Sequence, residues 1–212
     1  MAGGGGGGGG GPQLCASRVA FAALRADGSV VCWGDPLGGG DCSSAKEQLK
    51  SGVCRLFSTN GAFAAVKDCG AVVCWGDAGW GGDSTSVRAA LASGLVELGA
   101  AVAPGIKHIY SSDHAFAALK VDGSVVTWGH PVWGGDSSTV SRELASGVRE
   151  VVATEDAMAA LRADGSVVTW GDNGLGGDSS AVRESLAGGV QSLCASSGAF
   201  AALKSDGSVV TW

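Results

Sequence analysis

Positive charge is scarce in this 212-residue sequence, which has 14 lysines and arginines against 20 aspartates and glutamates. The cations are scattered along the chain, so no basic stripe could neutralise phosphates, and we expect no binding to nucleic acid.

The sequence also lacks an apolar run of the ~18 residues that a membrane span requires. Its first residues do not have the charged and apolar regions of a secretory signal. We therefore expect no membrane association and an intracellular protein, cytoplasmic or nuclear.

Metal-binding cysteine patterns are missing too. Six of the seven cysteines lie within the first 74 residues, but none forms a Cys-x-x-Cys pair and no histidine is close to them. An odd number of cysteines fits unpaired thiols in a reducing compartment. The sequence therefore predicts ordinary buried thiols, with no disulfides, no metal site and no cofactor.

What the sequence does contain is an internal repeat. The stretch FAALKVDGSVVTWG, residues 116–129, returns with small changes at 21–34, 63–76, 158–171 and, cut short, at 200–212. One tryptophan marks each copy, and successive markers are 42, 53, 42 and 42 residues apart. Such a period is typical of solenoids and propellers, which bury apolar faces between neighbouring repeats. The marker tryptophans, which we expect in the core, are Trp33, Trp75, Trp128, Trp170 and Trp212.

Each copy of the repeat is interpreted as a β-hairpin. Asp-Gly between two apolar runs is a strong signal for a two-residue type I′ turn, in which glycine readily adopts the positive φ. With Asp27 and Gly28 as the loop residues, Ala22 would lie opposite Trp33. Both faces of the hairpin are apolar, so we expect each sheet to pack between two others. The turn glycines are Gly28, Gly70, Gly123, Gly165 and Gly207.

A glycine-rich loop and a short helix follow each complete copy. The loops read GDPLGGGD, GDAGWGGD, GHPVWGGD and GDNGLGGD, a composition that favours tight surface turns. In the next segment an Asp or Ser can cap a first helical turn, and Val182 and Leu186 lie four residues apart on one face. We expect helices of about two turns. The capping aspartates are Asp41, Asp83, Asp136 and Asp178.

These elements predict a mainly β repeat protein, either a β-propeller or a partial propeller that forms an open arc. It would have about five three-stranded units with short helices between them, at about 12–52, 53–94, 95–147, 148–189 and 190–212, the last incomplete. Residues 12–212 form one repeat domain, and the glycine-rich residues 1–11 are expected to be a disordered tail. An open arc would expose apolar sheet faces at both ends, which would drive self-association.

The repeat resembles that of the regulator of chromosome condensation family, whose unit has an alanine-leucine strand, an Asp-Gly turn and a Trp-Gly-x-Asn-x-x-Gly loop. Trp170, Gly171, Asn173 and Gly176 match that loop residue by residue, and the resemblance covers residues 14–212. It implies a β-propeller, similar to that of β-lactamase-inhibitor protein II. The chain resembles a divergent subtype, because alanine replaces the family histidine before the alanine-leucine strand and GGDS replaces a conserved loop segment. The family's exchange-factor loop and a ligase catalytic domain have no counterpart in this sequence.

The glycine-rich loops carry the candidate contact residues. Trp80 and Trp133 hold the same loop position, and tryptophan in a surface loop is a frequent binding anchor, although it can equally cover its own repeat. Carboxylates in these loops could bind calcium, but turn stabilisation explains their recurrence. The three histidines have no Ser or Cys partner at a motif spacing, so no catalytic site is predicted. The binding candidates are Trp80, Trp133, Asp35, Asp77, His130 and Asp172.

Every recurring position thus has a structural explanation, and no group of residues is left over for chemistry. The sequence predicts a non-enzymatic protein–protein interaction module, either complete in itself or a fragment of a larger protein, whose partner is another protein. Two alternatives stay open. One is a carbohydrate-binding, lectin-like propeller that holds one sugar per repeat with loop Trp and Asp. The other is a noncatalytic regulatory part of a guanine-nucleotide exchange factor or a ubiquitin ligase.

Overall fold

Five three-stranded antiparallel sheets follow one another in the computed structural model, which describes residues 11–92, 96–98, 101–103 and 105–212. The predicted tail, apart from Gly11, lies outside these residues. The sheets are formed by β1 (Gln13–Ala16), β2 (Ala20–Leu24) and β3 (Val30–Gly34); β4 (Val53–Ser58), β5 (Ala62–Lys67) and β6 (Val72–Gly76); β9 (Ile106–Ser111), β10 (Ala115–Lys120) and β11 (Val125–Gly129); β12 (Val148–Ala153), β13 (Ala157–Arg162) and β14 (Val167–Gly171); and β15 (Val190–Ala195), β16 (Phe200–Lys204) and β17 (Val209–Thr211). A separate pair, β7 (Val96–Leu98) and β8 (Ala101–Ala103), lies between the second and third sheets in sequence. The predicted mainly β architecture is confirmed.

Consecutive sheets pack face to face because both faces of each hairpin are apolar. Phe63 and Trp75, on one face of the second sheet, belong to the same buried cluster as Ala20 of the first sheet. Ala62, on the opposite face, belongs to a cluster with Phe116 of the third sheet. The small alanines of the middle strand let the next sheet approach closely, so the core is a series of layers between sheets.

The first and last sheets leave their outward faces open. Phe21 and Trp33 are 42% and 45% exposed, whereas their counterparts Phe63 and Trp75 are 0% and 2% exposed. Trp33 is therefore not the core residue that we expected, because no sheet precedes it in the described chain. On the other end Val209 is also exposed. The molecule is an open arc of a propeller.

The hairpins differ from prediction by one residue in register. Phe21 lies opposite Trp33, and Ala22 lies opposite Cys32. The aromatic pair therefore lies on one side of the sheet, and Ala20, Ala22 and Leu24 of the middle strand face the other. The pairing stacks two aromatic rings, as in Phe63 and Trp75, whose centroids are 5.3 Å apart.

The turn type explains the shift in register. Gly28 N–H donates to the Arg25 carbonyl at 3.0 Å, and Arg25 N–H donates to the Ser29 carbonyl at 2.8 Å. Among the described residues, only glycines have a positive φ, and Gly28 has 77°. Asp27 therefore cannot hold the first position of a type I′ turn. The loop is a type I turn followed by a glycine bulge, which is one residue longer than predicted.

The predicted two-turn helices are shorter than expected. Each predicted capping aspartate lies one residue before the N-cap of a single 3₁₀ turn and accepts the backbone N–H two residues on, at 2.8 Å. Among the described residues, only the second repeat continues into an α-helix, α1 (Arg88–Ala92). These segments are too short to repay helix nucleation. The 3₁₀ turns span Ser43–Ala45, Thr85–Val87, Ser138–Val140 and Ser180–Val182, and helical turns in the glycine-rich loops span Pro36–Gly40, Ala78–Trp80, Pro131–Gly135 and Asn173–Leu175. No helix in the described part of the chain is long and apolar enough to cross a membrane.

One pair of cysteines contradicts the expectation of unpaired thiols. Cys32 and Cys42 form a disulfide, with their Cα atoms 6.0 Å apart, a normal separation for such a bond. The glycine-rich loop folds the chain back so that residue 42 reaches strand β3, which spacing in the sequence does not reveal. The free cysteines are Cys15, Cys54, Cys69, Cys74 and Cys194.

Candidate functional site

The turns between the first and second strands of the sheets form one edge of the arc. Backbone hydrogen bonds of 2.8–3.0 Å link them in series, from Arg18 N–H to Asn60, from Asn60 to Asp113, from Asp113 to Glu155 and from Glu155 to Ser197. In an antiparallel sheet the third strand ends beside this turn, so the glycine-rich loops lie on the same edge. We call this edge the loop rim.

A Ser or Thr hydroxyl fixes each glycine-rich loop to its neighbouring turn. The Thr59 hydroxyl accepts from Ala62 N–H at 3.0 Å and donates to the Trp80 carbonyl at 2.9 Å. The Ser112 hydroxyl makes the equivalent bond to the Trp133 carbonyl at 3.3 Å. These hydrogen bonds fix the backbone of the two loop tryptophans to the neighbouring turns. Sequence reasoning missed these hydroxyl residues, although a Ser or Thr recurs there in every repeat: Ser17, Thr59, Ser112, Thr154 and Ser196.

Five side chains from three repeats meet on the loop rim. The His114 ring lies edge-on to Trp80 and tilted against Trp133, with ring centroids 4.5 Å apart in both contacts. His130 stacks on Trp133 at 3.7 Å. His114 Nδ1 also forms a short hydrogen bond to a carboxylate oxygen of Asp156. We name Trp80, His114, His130, Trp133 and Asp156 the aromatic–histidine cluster.

The two indole rings of this cluster are partly covered by contacts with neighbouring residues. The Trp80 ring covers Gly61, where a Cβ atom would come within 2.6 Å of the indole. The stacked His130 ring covers part of Trp133, and all these side chains are partly buried. The buried Nδ1 of His130 has no hydrogen-bond partner among the described residues. The cluster therefore presents partly covered aromatic rings with polar nitrogen atoms between them.

The predicted loop aspartates serve their own turns. Each carboxylate accepts a hydrogen bond from the backbone N–H two residues on, at 2.8 Å in all three loops. His130 replaces the aspartate in the third loop, makes no such bond and joins the aromatic–histidine cluster instead. In the described part of the chain, no three His, Cys, Asp or Glu side chains are arranged to hold a metal ion. The turn-stabilising aspartates are Asp35, Asp77 and Asp172.

The marker tryptophans of the later repeats connect neighbouring repeats. The Trp75 indole N–H donates to the Gly39 carbonyl in the loop of the preceding repeat at 3.0 Å. The same bond recurs at 3.0–3.1 Å in the three following repeats. Trp75, Trp128 and Trp170 are buried, and Trp212 is partly buried. These side chains lie between sheets and are not exposed for a ligand.

The structure brings together three of the predicted binding candidates, Trp80, His130 and Trp133, and adds His114 and Asp156 to them. Sequence reasoning missed the latter two because it looked for residues that recur. Their turn position holds Val19, Gly61, His114, Asp156 and Gly198 in the successive repeats. A position that varies inside an otherwise regular repeat is the signal that could have identified them.

No protein-family model matches the sequence, and no curated protein matches it. Several solved structures are similar. Prp20p from Saccharomyces cerevisiae, described with its binding to Gsp1p and histones, is 15% identical, with a TM-score of 0.51, 93% of this chain covered and 56% of Prp20p. Yeast RCC1 (Prp20) bound by Kap60 gives 15% identity and a TM-score of 0.52, with 93% of this chain and 54% of that chain covered. Human WBSCR16 is 15% identical, with a TM-score of 0.54, 95% of this chain covered and 62% of that chain.

The chain therefore spans between 54% and 62% of the length of these proteins. At this level of identity the likeness concerns the fold alone. Five three-stranded antiparallel sheets follow one another, and from the second sheet onward the marker tryptophan packs against the preceding repeat, which matches the repeat plan that the sequence predicts. The chain has the fold of an RCC1-like β-propeller, in the form of an open arc.

Proposed function

We propose that the chain is a non-enzymatic protein–protein interaction module and that the aromatic–histidine cluster is the centre of its contact surface. The observation that carries this proposal is the convergence of Trp80, Trp133 and two histidines on one rim. Aromatic side chains of this kind are the usual anchors of protein interfaces. A propeller with a described role in binding other proteins, such as Prp20p, supports the general class of function.

The cluster is preorganised for binding. The Thr59 and Ser112 hydroxyls hold the backbone of the two loop tryptophans, and the rings contact one another. Little side-chain entropy remains to be lost when a partner binds, which favours affinity. The side chains of the cluster therefore form a rigid surface patch.

The charge around the cluster favours a basic partner segment. Asp113 and Glu155 lie on the turns that border the cluster, and Asp156 belongs to it. The whole chain has a formal charge of −6. A lysine or arginine side chain could pair with these carboxylates and lie against an indole. We propose a basic peptide segment of another protein as the ligand.

The lectin-like alternative is less well supported by the geometry. A sugar platform needs an open indole face and a carboxylate free to bind hydroxyl groups. His130 covers part of Trp133, Gly61 lies under Trp80, and the loop aspartates bond to their own turns. The other alternative, a noncatalytic regulatory part of a guanine-nucleotide exchange factor or a ubiquitin ligase, is favoured by no residue in the described part of the chain. An intracellular location, cytoplasmic or nuclear, accompanies the proposal because five cysteines are free thiols.

The test measures binding of the chain to an array of matched basic, neutral and acidic peptides, followed by affinity measurement on the best ones. The wild type should prefer basic peptides, and the Trp80→Ala, Trp133→Ala double variant should bind them at least about 10-fold more weakly, the effect of losing ~1.4 kcal/mol. Leu37→Ala is the matched control, since Leu37 lies in a loop of the same rim, is 80% exposed and is outside the cluster.

Two outcomes would overturn the proposal. One is equal binding by the double variant and the wild type. The other is displacement of the bound peptide by free monosaccharides, which would favour the lectin-like function. Melting temperatures of all three proteins must agree closely, so that a loss of binding reports on the surface and not on unfolding.

A further inference from the structure

One pair of positions connects the third strand of each sheet to the segment after the glycine-rich loop. In the third repeat the pair is Thr127 and Ser137, whose hydroxyl oxygens are 2.9 Å apart. In the fourth repeat it is Thr169 and Ser179, also at 2.9 Å. Each threonine hydroxyl additionally donates to a loop glycine carbonyl, at 3.0 and 2.9 Å. A hydrogen bond is therefore the usual connection at this place.

In the first two repeats, cysteines occupy one or both of these positions. In the second repeat the Cys74 thiol lies against the Ser84 hydroxyl, and burial raises the pKa of Cys74 to about 11. That thiol stays protonated and unreactive. In the first repeat both positions are cysteine, and Cys32 is bonded to Cys42. One backbone geometry thus accepts a hydroxyl pair, a thiol with a hydroxyl, or a disulfide.

We propose that Cys32 and Cys42 form a reversible thiol–disulfide site that reacts with low-molecular-weight disulfides and thiols, such as the two forms of glutathione. Because three later repeats hold the same positions without a covalent bond, the fold does not depend on the disulfide. Both cysteines are partly exposed, so a small reagent can reach them. The bond can therefore form and break while the arc stays folded.

The chemistry is two successive exchange steps. One protein thiolate attacks the small disulfide, forms a mixed disulfide with one half of it and releases the other half as a thiolate. The second protein thiolate then attacks the protein sulfur of the mixed disulfide and releases the remaining half. The two protein thiols lose two electrons, the small disulfide gains them, and the two protons end on the released thiols.

The site can influence how the first two sheets are joined. Shortly after Cys42, the segment contributes Ala45 and Leu49 to the buried cluster that also holds Phe63 and Trp75. The disulfide fixes the start of this segment to strand β3. Oxidation should therefore stabilise the packing of the second sheet on the first. Reduction should leave this segment joined to β3 by noncovalent contacts only, as in the other repeats.

The test is the melting temperature of the full chain across glutathione buffers from fully reduced to fully oxidised, with mass-spectrometric mapping of the disulfide. Closing this loop, whose two cysteines have a sequence separation of 10, should raise the melting temperature by about 5 °C in oxidised buffer. The Cys32→Thr, Cys42→Ser variant has the same residue pair as the third and fourth repeats, and its melting temperature should not change with the redox state of the buffer. Cys74→Thr removes the thiol at the same strand position of the second repeat and should keep it.

Three results would contradict the proposal. The first is that no peptide linking Cys32 to Cys42 appears in oxidised buffer. The second is that the linked peptide persists in fully reduced glutathione, which would make the bond permanent. The third is an equal redox shift in the Cys32→Thr, Cys42→Ser variant. The peptide mapping on the wild type decides the first two even if a variant were to fold poorly.

Discussion

At the scale of single residues, Trp128 shows how one side chain serves two repeats. Its ring stacks on Phe116 with centroids 5.2 Å apart, and its indole N–H donates to the Gly81 carbonyl of the preceding repeat at 3.1 Å. Removing it would leave a cavity between two sheets and a buried carbonyl without a donor. Both effects act on the same junction.

We therefore predict that Trp128→Ala lowers the free energy of unfolding by about 3–5 kcal/mol. Trp33→Ala is the matched control, because Trp33 holds the same repeat position on the open face. It should cost about 1 kcal/mol or less. Chemical denaturation measures both values. Equal losses in the two variants would show that the marker tryptophans do not act at the junctions between sheets.

The aspartates that precede the 3₁₀ turns give the stability a pH dependence. The hydrogen bond from Ser138 N–H to Asp136 lowers the pKa of that carboxyl below its ordinary value of 3.8, and Asp41 and Asp178 have the same arrangement. A carboxyl with a lowered folded pKa stabilises the protein above its unfolded pKa, and this contribution disappears as the pH falls through the folded pKa. The melting temperature should therefore decline below about pH 4.

Asp136→Asn tests the assignment. The amide oxygen can still accept the Ser138 N–H, but it cannot titrate and carries no charge. The variant should be less stable than the wild type at neutral pH, and the difference should shrink in acid. A constant difference from pH 6 to pH 2.5 would show that the Asp136 charge does not contribute to the stability of this turn.

At the scale of elements, the second hairpin turn differs from the other four. In those turns an aspartate carboxylate accepts the N–H of the serine two residues on, at 2.9–3.0 Å. The second turn has the same backbone hydrogen bonds but carries Cys69 in place of aspartate and Ala71 in place of serine. This turn lacks one side-chain acceptor that the others use.

We predict that Cys69→Asp raises the free energy of unfolding by about 0.5–1 kcal/mol, the net value of one such hydrogen bond. Thermal or chemical denaturation is the measurement. Cys69→Ala removes the thiol without adding an acceptor and should leave the stability unchanged. If the alanine variant gained as much as the aspartate variant, the benefit would come from loss of the thiol.

The hairpins also show how far sequence reasoning reaches. The period and the two apolar faces of FAALKVDGSVVTWG predict the strands and their stacking, because both depend on a local pattern that recurs. The turn type was wrong since Asp-Gly suits both a type I′ turn and a glycine bulge, and only the register of Phe21 with Trp33 distinguishes them. The Cys32–Cys42 bond joins strand β3 to the segment after the glycine-rich loop, and the contact of His114 with Asp156 joins turns of neighbouring repeats. Both depend on how the chain folds back, which no local pattern encodes.

At the scale of the whole molecule, the two open ends of the arc are complementary. The first sheet exposes Phe21 and Trp33, and the last exposes Leu203 and Val209. At every internal junction the equivalents of these two faces lie against each other, as Leu161 of the fourth sheet and Phe200 of the fifth do in one buried cluster. A second copy of the chain could therefore place its first sheet on the last sheet of another. Such a contact is heterologous and can continue from copy to copy.

We predict that the 212-residue chain associates head to tail, with a mass that rises with concentration in light scattering coupled to size-exclusion chromatography. The driving force is burial of exposed apolar side chains at the two ends. Phe21→Glu places a charge on the open face and should give a monomer with unchanged melting temperature, because Phe21 is already exposed. Leu37→Glu adds the same charge on the loop rim and should associate as the wild type does. A wild-type chain that stays monomeric at high concentration would show that the exposed end faces do not bind each other.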